Sequence, residues 1–516
     1  MEVTAESTAG GAPARPRVVT RLGGRLGGHL GALRLGLLAS GSLTALLIGG
    51  GAPAFAACYT GPFAGGYTNP GGATVACITV QNTSFTGNLS NAGTIKPGNG
   101  AVNGTGIVIN NSTITGQISN AGVISVSGNA IKIDNTSGIT GGIGNAGTIS
   151  AGESGIAVAG SIFTGGISNS GRISAGSTGI TLRGSTFLGG ISNSGTISAG
   201  GPGINFNGSI FSGGISNSGT ISAHVSGISF DASTFSGGIS NSGTISAGGH
   251  GIDIFASNFS GGISNSGAIS AGGISVNGRT QFSGGIANSG TISASGGGIS
   301  VLNYSTFSGG ISNSGTISVA GGIEIDGVST FTGGVSNSGT IIAANFGIDL
   351  AFVTQFGTSS AGGGITNSGT ISVTAASGDG ILTEATTFTG GISNAGTISG
   401  GSFGIFVENN SVFTGGVSNS GTISVAAGTS TRAGIAVESV TTFIGGITNS
   451  GTISVTAASN GIGIFVSGVT TFTGGISNSG AISVTASNGA GILVENVATF
   501  TGGVSNSGTI SAGAPA

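Results

Sequence analysis

One cassette, repeated, constrains this chain more than any other feature. Phe235-Ser-Gly-Gly-Ile-Ser-Asn-Ser-Gly-Thr-Ile-Ser-Ala247 recurs with variations from Phe85 to Ile510, in seventeen copies marked by a central asparagine. Asn169, Asn193, Asn217, Asn241 and Asn265 fall 24 residues apart, and later copies are spaced by 23 to 30 residues. Self-similarity at a period of this size signals a solenoid, a propeller or an array, and it outranks local propensity. A length of 516 residues therefore does not translate into several globular domains.

Each copy carries period-two alternation, clearest in the Gly-Ile-x-Ile segments such as Ile180/Leu182, Ile252/Ile254, Ile405/Val407 and Ile492/Val494. Such alternation marks a strand with one buried face. Asn-Ser-Gly supplies turn chemistry, because Asn and Gly tolerate unusual backbone angles at low cost. About three short strands per copy, separated by turns, predict an all-β chain: a single-stranded parallel β-helix of about 17 coils of 24 to 30 residues. At about 4.8 Å per coil the stack would run to roughly 80 Å. The asparagines are expected to stack as a ladder from coil to coil. Phe163, Phe187, Phe211, Phe235 and Phe259 keep register with the isoleucines and are expected as an interior aromatic stack rather than a ligand platform.

Charge narrows the function. Only 5% of residues are charged. After residue 56 six Lys/Arg face twelve Asp/Glu, so no basic stripe is present to release counterions from a nucleic acid. Beyond that point no apolar run approaches the ~18 residues of a membrane helix.

Residues 1–56 have the layout of a cleaved secretory signal peptide: Arg15, Arg17, Arg21, Arg25 and Arg34, then Leu35 to Ile48, then Ala54-Phe-Ala56. A retained anchor fits less well, since the segment is short and interrupted by Gly and Ser. Lipid attachment at Cys58 also fits less well, with Phe55 where such processing boxes favour leucine. Cys58 and Cys77 are the only cysteines. In an exported chain they are expected to form one disulfide, making residues 57–80 a stapled cap ahead of the repeat region 81–516.

The Arg-rich leader followed by Gly-Gly-Ile-Ser-Asn-Ser-Gly-Thr-Ile-Ser repeats resembles the passenger region of bacterial autotransporters, over residues 15 to about 512. The resemblance implies export across the inner membrane, display at the cell surface, outer membrane or outside the cell, and a non-enzymatic structural or adhesin role. Partners would be host-cell or abiotic surfaces, or further copies of the chain. The sequence stops at Ala516 without the translocator barrel of that family, which is expected either past a truncation or in another polypeptide.

The alternatives are a secreted β-helical carbohydrate-active lyase or hydrolase, and an ice-binding solenoid. The enzyme reading lacks support in sequence: His224 and His250 are the only histidines past the leader, and Arg183, Arg279 and Arg432 are scattered. No catalytic residue, cofactor or metal site is assigned. Outward acidic positions recur beside Gly-Ile-x-Ile, and Glu384, Glu408, Glu438 and Glu495 are those that could meet a divalent cation weakly. A solvated acidic edge explains them more simply. Thr of Thr-Ile-Ser recurs in thirteen copies, failing at Val123, Arg172, Ala268 and Ala481; it raises the ice-binding reading, and a solvated strand face suffices for it.

Overall fold

The structure is a computed structural model that describes residues 57–63, 65–97, 104–135, 137–270, 272–278, 281–357, 363–426 and 432–513. The leader expected over residues 1–56 lies outside them. Every regular element among the described residues is a strand, and all pair in parallel with the equivalent segment one coil away. The chain is a parallel β-solenoid of about 17 turns.

A coil in the middle shows why. Ile239–Asn241 is followed by Thr244–Ala247, Ile252–Phe255 and Asn258–Phe259. That makes four short segments where alternation suggested about three. The fourth was hidden because two residues are too few to show a period. Register is strict: Ile239, Ser240 and Asn241 lie opposite Ile263, Ser264 and Asn265. One face of every segment points inward, and Ile239, Ile245, Ile252, Ile254 and Phe259 are at most 1% exposed. The inward pairs named above are buried except Ile492 and Val494, which are partly buried.

The phenylalanines form the expected interior column. Successive ring centroids from Phe163 to Phe500 lie 4.6 to 5.3 Å apart. Phe356 belongs to this column, and Phe206 and Phe230 pack against it.

The asparagines are buried and bonded to one another. Asn241 Nδ2 donates to Asn265 Oδ1 at 2.7 Å and to the Gly243 carbonyl at 3.3 Å, while Asn217 Nδ2 donates to Asn241 Oδ1 at 2.7 Å. Longer repeats do not break this ladder: Asn337 reaches Asn367, thirty residues on, at 2.8 Å. Extra residues are carried in the connections between strands, so the stacking step is kept. Asn241→Ala strands a donor on Asn217 and an acceptor on Asn265, and is expected to cost about 2–4 kcal/mol. Asn241→Asp keeps the shape, removes the amide protons and should cost at least as much; a urea-unfolding midpoint for each variant decides it.

The column begins earlier than the cassette suggested. Tyr67–Asn69 pairs with Leu89–Asn91, and Asn69 Nδ2 donates to Asn91 Oδ1 at 2.7 Å. Ile78–Gln81 likewise pairs with Ile107–Asn110. Residues 57–80 are thus largely the first coil, and the ladder has eighteen strands. Cys58 and Cys77 are bonded, with Cα atoms 4.3 Å apart. Tyr59 stacks on Tyr67 at 3.7 Å, and Phe63 stacks on Phe85 at 5.4 Å, closing that end of the core with aromatic surface.

Candidate functional site

Two features distinguish the outer surface. The first is a groove of about 1370 Å³ running along the stack from Gln117 to Gly390. Its floor is the Gly-Gly column (Gly166, Gly190, Gly214, Gly238, Gly262) and one wall carries Ser168, Ser192, Ser216, Ser240 and Ser264. Glycine is imposed here by stacking. A Cβ on Gly165 would collide with the backbone of Gly142 in the coil before, and one on Gly190 would sit 3.1 Å from the Gly214 carbonyl oxygen. The lack of side chains on successive coils then leaves a trough. The recurring Gly-Gly doublet was its sequence signal, since it removes side chains from one line along the solenoid.

The second feature is an outer ledge late in the chain. At the second position after the glycine of Gly-Ile-x-Ile, early coils place Thr181, Asn205, Ser229 and Asp253, whereas late ones place Leu382, Phe406, Ala436, Phe465 and Leu493, each opposite the next. Alternation makes this position outward, yet Ala436 is fully buried and Phe406 and Phe465 are only 8% exposed. Phe403, 4.2 Å from Phe406, and Ala433 and Ile462 cover them. A small second apolar layer therefore sits outside the main core.

Carboxyl groups border this layer. Glu408 lies opposite Glu438, Glu384 sits one rung before Glu408, and Glu495 is two rungs past Glu438 with Ser467 between. The edge is not simply solvated, because Glu384, Glu408 and Glu438 are half-buried. Burial, followed by the bond and charge of Glu384 and the charges of Glu438 and Asp379, pushes the Glu408 carboxyl up to about 7. Burial and then Glu495 raise Glu438. Asp349 is pushed up to about 7 by burial first and then by Glu324, Glu384, Asp379 and Asp326. Among the described residues no three His, Cys, Asp or Glu side chains gather as a metal would require.

Arg432 is the buried cation of this region, 5% exposed. Its Nη1 donates to the carbonyls of Ala376 and Gly401 and, at 3.1 Å, to Ser402 Oγ, tying two neighbouring connections together. Asp379 accepts the Phe403 N–H at 3.0 Å and is raised to about 6 by burial, against the pull of that bond and of Arg432. His250 is exposed, its Nδ1 3.0 Å from the Gly272 carbonyl. Its neighbour Asp253 is raised by burial, with His250 opposing and Asp231 adding to the rise. The Thr and Ser of Thr-Ile-Ser point outward as in Thr244–Ala247, with Ile342 replacing the serine in one coil. Arg279 lies outside the described residues.

Comparisons with protein-family models, with curated proteins and with solved structures find no match.

Proposed function

We propose that the protein is an exported, non-enzymatic β-helical rod of the autotransporter-passenger type, displayed at the cell surface or released outside the cell, where it acts as a structural element or adhesin. The observation that carries this reading is the groove: it is built by the repeat itself over many coils, with equivalent glycines and serines on each, and not by residues unique to one place. Such a surface suits extended, repetitive contacts with host-cell or abiotic surfaces, or with other copies, in which many weak contacts add up. The carbohydrate-enzyme reading would need an acid and a base held together at one point.

The test is adhesion of bacteria displaying the chain, compared with bacteria displaying a variant in which Ser216 and Ser240 are both replaced by tryptophan. These serines point into the groove and away from the core, so the fold should persist while adhesion falls several-fold. Unchanged adhesion, or release of new reducing ends from polysaccharides by the purified protein, would overturn the reading. Exposure of the chain to added protease on intact cells tests its location.

A further inference from the structure

The late coils hold a run of acids with almost nothing to neutralise it. Between residue 280 and the C-terminus the sequence has a single basic side chain, Arg432, and no histidine. Arg432 is turned inward, its Nη1 bound to the Ala376 and Gly401 carbonyls and to Ser402. Parallel register stacks like on like: Glu408 faces Glu438, and Glu324 faces Asp349. Like charges directly opposite each other across a sheet destabilise it.

Burial first, and then the hydrogen bond and charge of the adjoining Glu384, favour the protonated form of the Glu408 carboxyl. Asn409 Nδ2 donates to Glu384 Oε1 at 3.2 Å. Among the described residues Asp349 Oδ1 is buried with no hydrogen-bond partner, a position that suits a neutral carboxyl and penalises a charged one.

We propose that Glu384, Glu408 and Glu438, stacked in one outward column, together with Asp349 in the adjacent column, form a carboxyl ladder that fastens the coils from Asp349 to Glu438 in mildly acidic surroundings and loosens them as the surroundings reach neutrality. The charged groups facing it are Glu324, Asp326, Asp379 and Glu495, all acidic, and Arg432, whose influence reaches Asp379. Among the described residues, the charged groups that bear on Asp349, Glu408 and Glu438 are all acidic.

The sign follows from proton counts. Asp349 and Glu408 ionise near 7 in the folded chain, Asp379 near 6, and Glu438 above its ordinary value, whereas unfolding returns all four to ordinary carboxyl behaviour. Between about pH 4 and pH 7 the folded state holds more protons, so stability falls as pH rises through that window and levels off above it. This is opposite to the acid denaturation produced by salt-bridged carboxylates.

The experiment is amide hydrogen exchange on the full chain at about pH 5.5 and about pH 8, corrected for intrinsic rates, together with the thermal midpoint at each pH. Amides of 381–438 should be protected several-fold better at the lower pH, those of 191–241 should change little, and the midpoint should be several degrees higher at the lower pH. The double variant Glu384→Gln and Glu408→Gln should raise the midpoint at the higher pH and shrink the difference between the two. If that variant does not fold, the exchange profile of the unaltered chain decides alone. A midpoint equal or higher at the higher pH overturns the proposal, as does a pH response spread evenly over all coils. Calcium chloride restoring full protection at the higher pH, through Glu408, would reassign the ladder to a cation and also overturn it.

Discussion

Replacing Phe235 by alanine is expected to destabilise the protein by about 3–5 kcal/mol, the range for a fully buried phenylalanine. The ring is 0% exposed and lies 4.7 to 4.8 Å from those of Phe211, Phe230 and Phe259. Deleting it opens a cavity that the parallel backbone cannot collapse to fill, since each coil is clamped by hydrogen bonds to both neighbours. Phe235→Leu should recover most of the loss, costing about 1.5 kcal/mol. The control is the same change at Phe352, which is 78% exposed and has a φ of 51°. Equivalent turns use Asn303, Gly327 and Asn409, so Phe352→Ala should fall within about 0.5 kcal/mol of the unaltered chain. Urea unfolding of the variants gives the comparison. Equal costs at the two positions would put the inside and outside of the coil in doubt.

Gly243→Ala should be as damaging, about 3 kcal/mol, although alanine is ordinarily the safest substitution. The reason is close approach between coils. A Cβ at this position would collide with the Gly219 carbonyl oxygen and lie 2.6 Å from the Ser218 carbonyl carbon. Both are backbone atoms, locked in the turn of the preceding coil, so neither can swing aside. The same contact recurs at Gly195, Gly219 and Gly267, which is why Asn-Ser-Gly is so constant along the chain. Gly184→Asn is the contrasting case. Gly184 has a φ of 55° with nothing within 4 Å of the added atom, and Asn82, Asn111 and Asn135 adopt similar angles at that turn. There the change should be neutral or stabilising by up to about 1 kcal/mol. Hydrogen exchange across residues 219–268 should show the Gly243→Ala lesion confined to the altered coil and its neighbours, as nearest-neighbour stacking requires.

The fold was largely legible because the cassette states its own geometry. Ile252 and Ile254 bracket Asp253, so inside and outside are assigned by alternation, and Asn241-Ser-Gly243 marks the turn. Its early limit was disguised: Phe63-Ala-Gly-Gly-Tyr-Thr-Asn69 keeps the phenylalanine, the glycine pair and the asparagine that joins the ladder, but puts Tyr67 where the other copies have an aliphatic side chain. The outer surface was read less well, for a definite reason. Alternation says that Phe406 and Phe465 point away from the core but not that Phe403 and Ile462 bend over them. It places Glu408 outward but not that burial and Glu384 leave its carboxyl holding a proton near neutrality. The trough came from glycines that are individually explained by backbone contact; its continuity is a property of the stack, visible only once the coils are in register.

All of this rests on one stacking step per repeat. The direct measurement is a set of pairwise distances between spin labels on outward serines of the Ile-Ser-Asn column, at Ser168 paired with Ser312 and with Ser418, six and ten coils away. Parallel coils at about 4.8 Å per step give separations near 29 Å and 48 Å, proportional to the number of coils. Distances that do not grow in that proportion, or that scatter as in a flexible chain, would contradict the solenoid.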